Sequence, residues 1–127
     1  MENKTATDLV KEAKLKIEGL SPEQVSDELL DKNTVLIDIR ESEELQQNGK
    51  ISGSVHAPRG MLEFYADETL PYHKPEFDKN KRLILHCASG GRSALATATL
   101  KEMGFKNVAH LDGGINAWKD SGKPTVD

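Results

Sequence analysis

The clearest pattern in the chain is Leu83-Ile84-Leu85-His86-Cys87-Ala88-Ser89-Gly90-Gly91-Arg92. An apolar run ends at the only cysteine, a turn of small residues follows, and Arg92 begins a stretch with helical spacing. Because short apolar runs bounded by turn residues are typical of buried strands, the pattern predicts a strand, a tight loop and the start of a helix. Cys87 then lies at the carboxyl end of the strand, immediately before the loop.

The predicted loop favours a reactive cysteine. If residues 88–92 curl around the thiol, their backbone N–H groups point inward, and the N-terminus of the helix adds positive potential. Such surroundings bind anions and stabilise a thiolate. A free cysteine is often simply buried, but the two glycines, which permit close backbone approach, and the arginine favour the reactive interpretation. We therefore predict that Cys87 is a nucleophile and that its anion-binding cradle consists of Ala88, Ser89, Gly90, Gly91 and Arg92.

Length, cysteine content and charge narrow the class of protein. A chain of 127 residues can bury a proper core as one domain. Its single cysteine excludes an internal disulfide and fits a reducing compartment. The chain begins with polar and charged residues, contains no apolar run of membrane-spanning length, and carries a net charge of -4, which argues against a nucleic-acid surface. We expect a cytoplasmic monomer that binds neither membranes nor nucleic acid.

Strand-like runs alternate with helical patterns along the whole chain. The run Val35-Leu36-Ile37-Asp38-Ile39 is almost continuously apolar, as in strands that are covered on both faces of a parallel sheet. The alternation predicts an α/β domain with a mostly parallel sheet and helices on both faces. In such sheets the functional site lies at the carboxyl ends of the strands, where both Cys87 and Arg40 fall.

Three segments match the motifs of one known family. Asp38-Ile39-Arg40-Glu41 with residues 49–54 matches its D-x-R-E and G-H-I-x-G-A segments, although Lys50 stands where the family usually has histidine. Residues 87–92 match its C-x-x-G-x-R active-site loop, and residues 104–118 match its C-terminal signature. On these segments the chain resembles a single rhodanese domain.

The resemblance covers roughly residues 17–122 and implies a fold. A rhodanese-like domain has three layers, with a central, mostly parallel five-stranded sheet and helices on both faces. Residues 1–16, which show an amphipathic helical pattern, have no counterpart in the minimal domain. We therefore divide the chain into a helical extension, residues 1–16, and a rhodanese-like domain, residues 17–127.

The resemblance also implies sulfur transfer through Cys87, without a cofactor. The cysteine would take a sulfane sulfur from a small anionic donor such as thiosulfate, or from a persulfide donor, and hold it as a persulfide. It would then pass the sulfur to a thiophilic acceptor such as cyanide or a thiol. The residues agree, because an amide cradle stabilises an anionic persulfide and a departing anion.

Two other functions stay open at this point. A persulfide carrier would load and unload only with protein partners, as a donor or acceptor of persulfide sulfur. The second is a cysteine-dependent phosphatase or arsenate reductase, since a protein tyrosine phosphatase also places His-Cys before a cradle that ends in arginine. Its loop has one more residue between the cysteine and the arginine, and the shorter loop of this chain suits a sulfur atom better than a phosphoryl group.

The roles of the arginines and histidines depend on their partners. Arg92 either binds the anionic donor or turns away and pins the loop by pairing with a carboxylate. We assign Arg40 and Arg59 to substrate binding through their positive potential, with ordinary ion pairs as the alternative. The four histidines lack metal-ligand spacing, so we predict no metal site. His86 points away from the Cys87 side of its strand by alternation and is predicted to pack in the core.

Overall fold

Five parallel strands form one central sheet in the computed structural model, which describes residues 3–127. Met1 and Glu2 of the predicted extension lie outside the described residues. The strands are β1 (Glu18–Leu20), β2 (Thr34–Asp38), β3 (Val55–His56), β4 (Arg82–His86) and β5 (Val108–Leu111). They are arranged in the order β1-β5-β4-β2-β3, and each neighbouring pair is parallel. The predicted α/β class with a parallel sheet is confirmed.

Six helices surround the sheet in residues 3–127. They are α1 (Ala6–Lys14), α2 (Pro22–Glu28), α3 (Ser42–Asn48), α4 (Leu62–Ala66), α5 (Gly91–Glu102) and α6 (Gly114–Asp120), with a short 3-10 turn at Arg59–Met61. Four of them, α2 to α5, lie between successive strands. Local sequence signals fix several ends: Ser21 and Gln24 form the capping box that begins α2, and Gly49, in a positive-φ conformation, ends α3. No helix within residues 3–127 is long and apolar enough to cross a membrane.

The side chains of the strands alternate between two hydrophobic cores, which gives the three predicted layers. On β4, Leu83 and Leu85 pack in one core with Cys87, whereas Ile84 packs in the other. The first core includes Leu62 and Ala66 of α4 and Ala96 and Leu100 of α5. The second includes Val25 of α2 and Ile115 and Trp118 of α6. Helices therefore cover both faces of the sheet.

The register of the strands brings the polar residues Asp38, His86 and His110 together at the carboxyl ends of the strands. Asp38 pairs in register with His86 across β2 and β4, and Leu85 pairs with His110 across β4 and β5. Because all strands run in the same direction, Cys87 and the residues after the other strands emerge at the same carboxyl edge. Helix α1 packs outside α5, with Ala13 buried. The boundary between an extension and a domain at residue 17 stays a prediction.

Candidate active site

Cys87 follows β4 directly, and its sulfur is surrounded by the next turn of chain. The residue is 1% exposed. The backbone N–H of Gly90 donates to Sγ over 3.2 Å, and the backbone N–H of Ser93 donates over 3.4 Å. Ser93 lies one residue beyond the predicted cradle. Ser89 is exposed at the tip of the loop, with Ala88 beside it partly buried, so solvent reaches this side of the cradle.

The start of α6 determines which way the loop's peptide groups point. The N–H of Ile115 donates to the carbonyl of Cys87 over 2.9 Å, and that of Asn116 donates to the carbonyl of Ala88 over 3.0 Å. Gly114 makes this approach possible: its φ is +62°, and a Cβ there would lie 2.6 Å from the Cys87 carbonyl oxygen. With these carbonyls bound to α6, the following N–H groups are left to face the sulfur.

A buried hydroxyl connects the sulfur to a histidine. Sγ of Cys87 lies 3.6 Å from Oγ of Ser93, and the same Oγ lies 2.8 Å from Nδ1 of His110. Ser93 is completely buried and His110 is 1% exposed. Burial lowers the pKa of His110; the charge of Asp112 opposes this effect and that of Lys14 adds to it. We call Cys87, Ser93 and His110 the cysteine cluster.

The sequence interpretation did not single out Ser93 or identify His110 as part of the site. Ser93 had a local signal, because it directly follows Arg92 in the first turn of the helix. His110 had none of that kind, since it comes near Cys87 only because β5 lies beside β4 in a parallel register.

Arg92 is turned toward helix α3. Its Nη1 and Nη2 donate to the two carboxylate oxygens of Glu44 over 2.7 and 2.9 Å. The hydrogen bond from Arg92 lowers the pKa of Glu44 to about 2. This is the arrangement expected if the arginine pins the loop by pairing with a carboxylate.

Arg40 is buried in a second cluster. It donates through Nε and Nη2 to the carboxylate of Asp38 over 2.8–3.3 Å, and through Nη2 to the carbonyl of Gly49 over 2.9 Å. Nε2 of His86 lies 3.6 Å from the same carboxylate, and its Nδ1 donates to the carbonyl of Cys87 over 3.2 Å. The predicted burial of His86 is confirmed. We call Asp38, Arg40 and His86 the arginine cluster.

Arg59 lies outside both clusters. It donates to Glu63 over 2.9 Å and lines a groove of about 420 Å³ between α1 and α5. Within residues 3–127, neither Arg40 nor Arg59 hydrogen-bonds to residues 87–91. The ion-pair alternative describes both side chains, and the structure does not bring them into the cradle. Among residues 3–127, no three His, Cys, Asp or Glu side chains are grouped closely enough to hold a metal ion.

Comparison with known proteins agrees with the geometry. The family model described as "Rhodanese-like domain" matches residues 21–121 of this chain. The chain is 38% identical over 97 residues to "Putative thiosulfate sulfurtransferase, mitochondrial" of Schizosaccharomyces pombe, covering 71% of this chain and 66% of that protein, just under two thirds of its length. It is 32% identical over 111 residues to a sulfurtransferase of Allochromatium vinosum, covering 87% of this chain and 95% of that protein.

A solved structure is similar over nearly the whole chain. It is a protein of unknown function from Rhodopseudomonas palustris, described as a possible tyrosine phosphatase. The TM-score is 0.92 at 39% identity, with 98% of this chain and 96% of the other covered. The similarity therefore extends beyond the matched domain, residues 21–121, to nearly all of the chain.

Proposed function

This chain belongs to the rhodanese-like domain family, and on that premise we propose that it transfers a sulfane sulfur through a persulfide on Cys87. The sulfurtransferases among its relatives support sulfur transfer as its general function and a transferase as its type of enzyme. One observation carries the finer proposal: the backbone N–H groups of Gly90 and Ser93 are aimed at the sulfur of the chain's only cysteine.

The chemistry has two displacement steps. In the first, the Cys87 thiolate attacks the outer sulfur of thiosulfate, a bond forms between the two sulfur atoms, and sulfite leaves with the electrons of the broken S–S bond. In the second, an acceptor such as cyanide attacks the outer sulfur of the persulfide and leaves as thiocyanate, restoring the thiolate. N–H donors that point at the sulfur stabilise both anionic forms of the cysteine.

The rest of the cradle is proposed to bind the donor and shape the loop. Of the cradle residues only Gly90 is fully buried; Ala88, Ser89 and Gly91 line the open side of the loop, so a donor approaching the sulfur is proposed to pass them. We propose that Arg92 pins the loop through Glu44, because both of its terminal nitrogens donate to that carboxylate. An Arg92→Ala variant then loses thermal stability while saturating normally with thiosulfate, whereas a raised thiosulfate requirement would mean that Arg92 binds the donor.

Intact-protein mass spectrometry tests the central step. Wild type and Cys87→Ser are incubated with thiosulfate and then with cyanide. We expect wild type alone to gain one sulfur atom and to lose it on cyanide treatment, with thiocyanate released. If neither protein gains mass from thiosulfate but wild type accepts sulfur from a protein persulfide, the chain is a carrier that works with protein partners.

Phosphatase chemistry is the other outcome that the same variants can show. The R. palustris structure is described as a possible tyrosine phosphatase, and arsenate reduction through the cysteine is the related alternative. Two features favour sulfur over a phosphoryl group here: four residues separate Cys87 from Arg92, and the arginine is bound to Glu44 instead of facing the cradle. Hydrolysis of an aryl phosphate by wild type, lost in Cys87→Ser, would overturn the proposal.

A further inference from the structure

The cysteine cluster contains a continuous path for a proton. Ser93 Oγ lies between Cys87 Sγ, at 3.6 Å, and His110 Nδ1, at 2.8 Å. We propose that His110 is a positioning residue that takes up the Cys87 proton through the Ser93 hydroxyl and thereby controls how much of the cysteine is thiolate. The proposal deepens the proposed function, since it concerns the nucleophile of that reaction.

The hydroxyl of Ser93 makes the path directional, because it has one proton to donate. The carbonyl of Gly90, at 3.3 Å, and His110 Nδ1, at the shorter 2.8 Å, are both within reach of that proton. With the thiol present and the ring proton of His110 on Nε2, Sγ–H donates to Oγ and the Ser93 O–H donates to the lone pair of Nδ1. Transfer breaks the S–H bond and forms an N–H bond at Nδ1. The chain of hydrogen bonds is then reversed: Nδ1–H donates to Oγ, and the Ser93 O–H donates to the thiolate. A neutral pair becomes an anion and a cation, and no other reactant is needed.

The surroundings of His110 suit a proton acceptor. The ring is buried, and burial lowers its pKa, which favours the neutral ring whose unprotonated nitrogen can accept a proton. Asp112, directly after β5, and Lys14 of α1 are the charged groups that face it, and they form a salt bridge of 3.5 Å with each other. Cys87 faces it from the loop after β4, through Ser93. Asp112 and the new thiolate both stabilise the imidazolium once the proton arrives.

His86 is closer to Cys87 in sequence but cannot do this. It lies on the opposite face of β4, and its Nδ1 donates to the Cys87 carbonyl, not to the sulfur. A hydrogen bond to that carbonyl offers no route for the thiol proton. The proton path therefore distinguishes the two buried histidines by position.

The test follows the ultraviolet absorbance of the thiolate with pH, with the Cys87→Ser signal subtracted. His110→Asn retains a hydrogen-bonding group for Ser93 but cannot take up a proton. We expect its transition to move upward by about one pH unit, which leaves about tenfold less thiolate below the transition. Ser93→Ala, which removes the hydroxyl that links the thiolate to His110, should give the same upward shift, and Ser93→Thr, which keeps a hydroxyl, should titrate like wild type. His73→Asn, in the loop after α4, is the control.

The readout separates a proton path from simple packing. A packing role lowers the stability of the His110→Asn variant but leaves the thiolate transition where it is in wild type, and that result would overturn the proposal. The titration uses no sulfur donor, so its outcome is independent of the proposed function. A shifted transition in a protein that thiosulfate cannot load would retain the proton path and reject thiosulfate as donor. If wild type is loaded, the loading rate of His110→Asn should fall about tenfold below the transition and recover at high pH.

Discussion

The cysteine cluster and the arginine cluster lie on opposite faces of the sheet, both at the carboxyl ends of its strands. His86 and Cys87 are consecutive, and alternation along the strand sends them to different sides. Each cluster is buried and each contains one histidine. The arginine cluster holds a full positive charge against a full negative charge, with a bidentate hydrogen-bonded pair. The cysteine cluster is built instead from backbone N–H groups and one hydroxyl around a sulfur.

The difference shows what makes a buried polar group available for chemistry. Arg40 donates to Asp38 and to the carbonyl of Gly49, so its charge is neutralised and its donors are occupied inside the protein. The donors around Cys87 point at the sulfur itself, where a sulfur atom or a leaving anion would be held. Position at the carboxyl edge is common to both clusters. The direction of the donors is what separates the ion pair of the arginine cluster from the proposed site at Cys87.

The largest expected loss of stability comes from breaking the ion pair of the arginine cluster. Asp38→Asn leaves the buried Arg40 charge without its counter-charge, and removing one member of a buried pair costs about 3–5 kcal/mol. Urea denaturation measures the free energy of unfolding. The matched control is Glu63→Gln, which breaks the partly exposed Arg59–Glu63 pair at a cost of less than about 1 kcal/mol. Equal losses in the two variants would contradict the view that the arginine cluster supports the fold.

A smaller loss is expected from distorting the backbone that aims the donors of the cysteine cluster. Gly114→Ala places a Cβ against the carbonyls of Cys87 and Ala88 at a positive φ, whereas Gly53, with φ of +83°, has no atom within 4 Å of the corresponding position. Gly53→Ala therefore shows the backbone cost alone, about 1–2 kcal/mol. Gly114→Ala adds about 1–3 kcal/mol of overpacking.

The same two variants test whether the contact with α6 orients the N–H groups of the loop toward the sulfur. Displaced carbonyls turn the following N–H groups away from the sulfur, so Gly114→Ala is expected to slow persulfide formation while Gly53→Ala does not. Mass spectrometry after short incubations with thiosulfate compares the rates. Normal loading in a folded Gly114→Ala protein would mean that the cradle does not depend on its contact with α6.

Sequence predicted the elements that depend on local patterns. The apolar runs at residues 35–39 and 83–85 predicted β2 and β4, and the small residues after Cys87 predicted the loop. One feature of the arginine cluster was also readable: Asp38 and Arg40 are two residues apart on an extended segment, so their side chains share a face. That spacing indicates a pair, but the sequence interpretation gave weight to the charge of Arg40 instead.

What sequence could not predict depends on contacts between distant segments. Glu44 reaches Arg92 across 48 positions because α3 and the start of α5 meet at the same edge. His110 reaches Ser93 because β5 lies beside β4. Neither contact has a periodicity or a spacing that a single sequence reveals. The candidate nucleophile and the glycines of its loop were therefore predictable, whereas the contacts made by Glu44 and His110 were not.

The smallest loss of stability is expected from breaking the Arg92–Glu44 pair, which is a partly exposed counterpart of the buried Asp38–Arg40 pair. The hydrogen bond from Arg92 lowers the pKa of Glu44 from 4.5 to about 2, so the folded state binds the proton less readily than the unfolded chain. The pair's contribution to stability is fully present above about pH 4.5 and is lost as the pH falls toward 2. Because both side chains are partly exposed, we expect Glu44→Gln to cost about 1 kcal/mol or less at pH 7.

The dependence of the unfolding free energy on pH and on salt distinguishes the Arg92–Glu44 pair from the buried Asp38–Arg40 pair. The difference in unfolding free energy between wild type and Glu44→Gln should close as the pH falls to 2, and added salt should narrow it at pH 7, since exposed charges are screened. Burial raises the pKa of Asp38, but the hydrogen bonds from Arg40 and the nearby charges outweigh it and lower that pKa overall. The Asp38→Asn difference should therefore also shrink in acid, yet resist salt. A Glu44→Gln difference that salt leaves unchanged would place Arg92 and Glu44 among the buried pairs, and would mean that the loop is held by charge as firmly as the arginine cluster is.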